Sequence, residues 1–147
     1  MWVLTDEREP RMREIEQRAE RYGLPPVRWP SAFAHRAIDL VRAATVAKHE
    51  GRVAELSLAA SRAIFTEGRD PSGPDELRRL AEEPGLDLDR LLERVADRAI
   101  KDEVRAAVDE AHARGVQGVP VVVVGDELFW GDDRLEDAAA AASARAA

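Results

Sequence analysis

The sequence predicts an α/β chain that is predominantly helical, with a small sheet near its C-terminal end. Three observations predict it. Apolar residues recur at helical spacing through most of residues 6–114. Val121 to Val124 then form a run of four β-branched residues, followed by a Gly125-Asp126 turn signal and by Glu127-Leu128-Phe129-Trp130. From Asp132 onward the chain reads as a helix with an alanine-rich tail. A length of 147 residues fits one structural domain with a sizeable core.

The elements follow in order. Residues 6–22 predict a first helix, with Met12, Ile15, Ala19 and Tyr22 on one face and Asp6, Glu7 and Glu9 as favourable charges in its first turn. Gly23 is its stop, and Pro25-Pro26 prevents continuation. Val27-Arg28-Trp29 is a short extended piece closed by Pro30, and Trp2–Leu4 is a second short strand candidate. Residues 32–50 predict a second helix with Ile38, Val41, Thr45 and His49 as its stripe. Beyond Gly51 the pattern resumes with Val53, Leu56, Ala60, Ile64 and Phe65. Glu67 to Pro74 is a loop. Short helices are expected near 75–82, with Leu77 and Leu80, and near 88–97, with Leu88, Leu91, Leu92 and Val95. Asp87 is a good N-cap for the second of these. A last middle helix carries Ile100, Val104, Ala107, Val108 and Ala111 and ends at Gly115.

Composition removes several function classes. The net charge is −7, which argues against a nucleic-acid binder with a basic face. Lys48 and Lys101 are the only lysines, and most arginines lie close to Asp or Glu, as solvated helix faces laced with ion pairs do. Cysteine is absent, which excludes disulfides, thiol nucleophiles and Cys zinc sites in these residues and fits a cytoplasmic protein. His35, His49 and His112 lack ligand spacing, so no metal site is expected. No apolar run approaches the roughly 18 residues of a membrane span. Met1 to Glu9 has no apolar h-region, so no cleaved signal peptide is expected.

The chemistry concentrates near the C-terminus. The four valines do not alternate, which predicts a strand buried on both faces inside a sheet. A lone hairpin is marginal in water, so this run asks for more strands than the chain offers. Pro120, at the mouth of that strand, cannot donate to a ladder. It is a candidate cis-proline, with a trans edge proline as the alternative. A cis bond would turn Val119 outward and leave its N–H and C=O for a ligand's main chain. Asp132 and Asp133 open the last helix. They are either plain N-caps or partners for a ligand ammonium, beside N–H groups suited to a carboxylate. Ser31, between a short strand and a helix, reads as an N-cap rather than a nucleophile, since no base is placed beside it.

These residues carry a resemblance. Gly115-Val116-Gln117-Gly118-Val119-Pro120, with Gly125 to Leu135 after it, resembles the C-terminal end of 2-hydroxychromene-2-carboxylate isomerases. Those enzymes group with kappa-class glutathione transferases in the DsbA-like branch of the thioredoxin fold. Arg21 to Pro30, Phe65 to Asp70 and the helix near 98–114 are similar to the family too. The resemblance implies a DsbA-like thioredoxin fold with a large all-helical insertion. Residues 1–30 would carry a leading helix and short strand, 31–114 the insertion subdomain, and 115–147 the remnant of the thioredoxin motif, all in one structural domain. It also implies glutathione, a small-molecule thiol, as ligand. Val119 would pair with the glutathione cysteine's main chain, Pro120 would be the cis-proline, and Asp132 and Asp133 would hold the γ-glutamyl group. Apart from the resemblance, Trp29 and Trp130 read as core or pocket wall, and Pro30 is placed in the pocket wall with Trp29.

The departures bear on activity. Family members begin with a strand leading into a Ser- or Cys-containing turn, and no Ser or Cys here sits in such a motif. The family's frequent Asn at the start of the insertion is missing, with His35 and Arg36 near its place. The chain is therefore expected to lack the N-terminal part of the sheet, as a truncated member would. No catalytic residue is assigned. The expected function is that of a glutathione-dependent isomerase or oxidoreductase homologue, inactive alone. The alternative is a non-catalytic helical binding or dimerisation module, a homodimer pairing through the open sheet edge. No nucleic acid or membrane partner is expected.

Overall fold

In the computed structural model, residues 6, 8–30, 37–70, 74–82 and 84–146 are described. The strand candidate Trp2–Leu4, Glu7 of the first helix, residues 32–36 of the second, Ser31, His35, Arg36 and loop residues 71–73 lie outside them. Seven helices and one hairpin follow in order among the described residues. They are α1 (Arg8–Arg21), α2 (Ile38–His49), α3 (Val53–Phe65), α4 (Pro74–Glu82), α5 (Leu88–Ala96), α6 (Arg98–Ala113), β1 (Val121–Val124), β2 (Glu127–Trp130) and α7 (Leu135–Ala146). A 3-10 turn, Asp132–Arg134, leads into α7. The chain divides into two compact units, Met1–Val104 and Arg105–Ala147.

The first unit is built on small-residue packing. α2 lies against α3 and α5, and α4 against α3 and α5. Its core joins Ala43, Val46, Ala47, Leu56, Ala59, Ala60, Ala63, Leu77, Leu80, Leu91, Val95 and Ile100. The buried face of α2 differs from the expected stripe: Ile38 and Val41 are exposed, and Ala43, Val46 and Ala47 are buried. The reason is steric. Ala43 and Ala47 join Ala59, Ala60 and Ala63 of α3 in one buried cluster, and small residues there permit close helix packing. Asp87 caps α5 as expected, its side chain accepting from the Arg90 N–H at 3.1 Å. In the first turn of α3, Glu55 accepts from its own backbone N–H and from Arg52. Both hold its carboxyl below the usual range.

The expected extended piece Val27–Trp29 joins no ladder among the described residues. Its hydrogen bonds go elsewhere. The Arg28 N–H donates to the Phe65 carbonyl at 2.7 Å. The Trp29 Nε1–H donates to Glu16 Oε1 at 2.6 Å, and the indole meets Phe65 edge-on at 5.9 Å. Residues 27–30 thus tie α1, which buries no side chain of its own, to α3.

The second unit holds the end of α6, the loop after it, and the hairpin with α7 packed on it. β1 and β2 are antiparallel, with Val121 opposite Trp130 and Val124 opposite Glu127. The two residues between, Gly125-Asp126, make the turn that the sequence predicts. Phe129 and Ala138 are buried. The valine strand is not buried on both faces: Val123 is exposed, and its neighbours are half-buried. Among the described residues the sheet has two strands, so β1 has one partner. Four β-branched residues favour a strand, but full burial needs a layer on each face.

Candidate functional site

The site is built from the ladder's open end. The pairing register continues one step past Val121 and Trp130, where the Gly131 N–H donates to the Pro120 carbonyl at 3.0 Å. The next step would set Val119 opposite Asp132. It is not made, because Gly131 adopts φ 112° and ψ 155°, a conformation that glycine alone takes readily, and turns the chain into the 3-10 turn. Val119 is left 88% exposed. Among the described residues no hydrogen bond engages its N–H or its C=O. The Val119–Pro120 bond is cis.

The aspartates sit on the other side of Gly131. The cap position of the 3-10 turn is Gly131 itself, so neither Asp132 nor Asp133 occupies it. Asp132 is half-buried and already partnered, and Asp133 is exposed. Asp133 Oδ1 folds back over Gly131, onto the space that a Cβ there would fill. Val119, Pro120 and Asp133 are thereby linked through one residue: Pro120 by a hydrogen bond to Gly131, Asp133 by contact with it. Arg134 holds the turn to the hairpin. Its guanidinium lies 5.6 Å from the Phe129 ring centroid, and its Nε–H donates to Asp137 Oδ2 at 2.7 Å.

The remaining candidates are in the first unit. Trp29 is half-buried and Pro30 buried, with the contacts given above. His49, exposed at the end of α2, faces Glu103 through Nε2 at 2.9 Å and Arg94 through Nδ1 at 3.1 Å.

Two contacts escaped the sequence reading. A Cβ at Gly118 would lie 3.1 Å from Trp130 Cζ2, and one at Gly115 would lie 3.7 Å from Leu128 Cδ1. The signal was present as two glycines three residues apart, matched by two large residues on one face of β2.

A profile of the DsbA-like thioredoxin domain matches residues 7–142. The chain belongs to this family. The 2-hydroxychromene-2-carboxylate isomerase of Sphingobium xenophagum is 38% identical to it over 125 residues, 85% of this chain. A solved 2-hydroxychromene-2-carboxylate isomerase structure, with selenomethionine, matches 94% of this chain at a TM-score of 0.85 and 22% identity. That likeness speaks for the fold. The chain spans 63% of the first relative's length and 66% of the second's. The DsbA-like fold, with its helical part before the hairpin, agrees with the class the sequence predicts. Among the described residues no helix is long and apolar enough to cross a membrane.

Proposed function

We propose that this DsbA-like chain binds glutathione at the hairpin end and is a homologue of the glutathione-dependent isomerase and oxidoreductase group. The observation that carries the reading is Val119, an exposed residue whose main-chain N–H and C=O are unpaired among the described residues. A short extended peptide satisfies such a pair by adding itself as a strand. Glutathione is a tripeptide, and its cysteine would lie along Val119. Its γ-glutamyl end carries an ammonium and a carboxylate. Asp132 and Asp133, one step further along the same ladder, would hold the ammonium. The residues present therefore fit the ligand's cysteine main chain and its γ-glutamyl ammonium. When bound, glutathione supplies a thiol able to add to a substrate, permit a bond rotation and leave. This chain's own residues bind and orient it.

No cysteine is present, and no serine sits in the family's strand-turn-helix motif. Little turnover is therefore expected from these 147 residues alone. A cytoplasmic setting, where thiols are kept reduced, goes with the reading. Calorimetric titration of the chain with reduced glutathione tests it. Saturable heat, lost in Asp133→Ala, is expected. A wild-type chain giving no heat overturns the binding claim, and isomerase activity from the chain overturns the claim of inactivity.

A second reading is favoured by the open edge of β1, which has one partner strand among the described residues. An unpaired edge invites a strand from another chain, and a homodimer would supply one. Light scattering across a wide concentration range is the test. A dimer mass supports this reading, and a constant monomer mass removes it.

A further inference from the structure

We propose that Trp130 is a positioning residue, and that with Leu128 it clamps residues 115–118 so that the Val119 main chain is held ready for a ligand. The ligand's identity rests on the glutathione reading; the clamp is a property of the chain alone.

Leu128 and Trp130 are two residues apart in β2 and share a face. It is the face opposite Phe129, which is buried. The loop that follows α6 crosses this face with a glycine under each of the two side chains. Gly115 leaves Leu128 at ordinary van der Waals distance, and Gly118 admits the indole closer than a Cβ would comfortably allow. Trp130 nonetheless remains 59% exposed. With more than half of its surface in water, Trp130 is not a core residue. What it touches is the residue before Val119.

Both flanks of Val119 are therefore fixed. Gly118 lies under the indole, and Pro120 accepts from Gly131 at 3.0 Å. Val119 itself makes no hydrogen bond among the described residues. A main-chain segment held on both sides and unpaired in the middle is pre-organised, and binding to it costs less ordering entropy than binding to a mobile loop. Removing the indole frees one flank and restores that cost.

The test uses the full 147-residue chain as wild type, Trp130→Ala, Trp130→Phe and Gly118→Ala. Nitrogen-15 relaxation without ligand is the first readout. The Gly118 and Val119 amides should show order parameters of about 0.85 in wild type and below about 0.6 in Trp130→Ala. Trp130→Phe should restore most of the order, since a ring still covers Gly118. Gly118→Ala, which crowds the indole without removing it, should displace the Trp130 indole N–H resonance. Glutathione binding is the second readout, and Trp130→Ala should weaken it by about tenfold. Unchanged order parameters in Trp130→Ala overturn the clamp. If that variant does not fold, an unmoved Trp130 indole N–H resonance in Gly118→Ala overturns it instead. Lost order in a chain whose wild type binds no glutathione supports the clamp and removes the glutathione reading.

Discussion

Leu56→Ala is expected to lower the unfolding free energy by about 2–5 kcal/mol in urea denaturation. Leu56 is 1% exposed and sits on α3 in the core of the first unit, among side chains that are mostly alanine, valine and leucine. Alanines cannot rotate into a hole, so the space left by the isobutyl group collapses poorly, and the lost contacts add to the lost burial. Leu58 on the same helix is the natural comparison. It is 51% exposed, and Leu58→Ala should change stability by no more than about 0.5 kcal/mol. Equal losses at the two positions would contradict the packing described here. A folded domain is stable by only about 5–15 kcal/mol, so the Leu56 variant stands near the limit of folding.

Gly131→Ala is expected to cost about 1–3 kcal/mol and to abolish glutathione binding. Two causes act together. A φ of 112° with ψ 155° is one that L side chains rarely adopt. The new Cβ would also occupy the position of Asp133 Oδ1. The chain must then either move Asp133 or straighten, and straightening carries the ladder on toward Val119. Gly23→Ala serves as the contrast. Gly23 also has positive φ, at 66°, but nothing lies within 4 Å of its added Cβ, and it belongs to the first unit. It should lose stability and keep binding. Normal binding by Gly131→Ala would remove Asp133 and its turn from the site.

Local signals made the hairpin and the α5 cap legible in the sequence. Gly125-Asp126 between two β-runs needs no distant partner to be read, and neither does Asp87 before a leucine-rich helix. The buried face of α2 is not legible in its stripe because alanine is a weak marker of burial, and that face is set by α3 and α5 rather than by α2 alone. The valine run predicts a central strand because β-branched composition does not say how many layers cover it. At the site, Pro120 and the two aspartates could be singled out one by one. Their junction at Gly131 could not, because it depends on one backbone conformation. The pairing of Gly118 with Trp130 spans 12 residues and appears only once the hairpin register is fixed.

The most direct test of the glutathione reading is an amide map. Reduced glutathione is titrated into the nitrogen-15-labelled wild-type chain, and each backbone resonance is followed. The account predicts that Val119, Gly131, Asp132 and Asp133 move saturably with one shared dissociation constant, Val119 the most. Resonances at 119 and 131–133 that stay in place up to millimolar glutathione would contradict it.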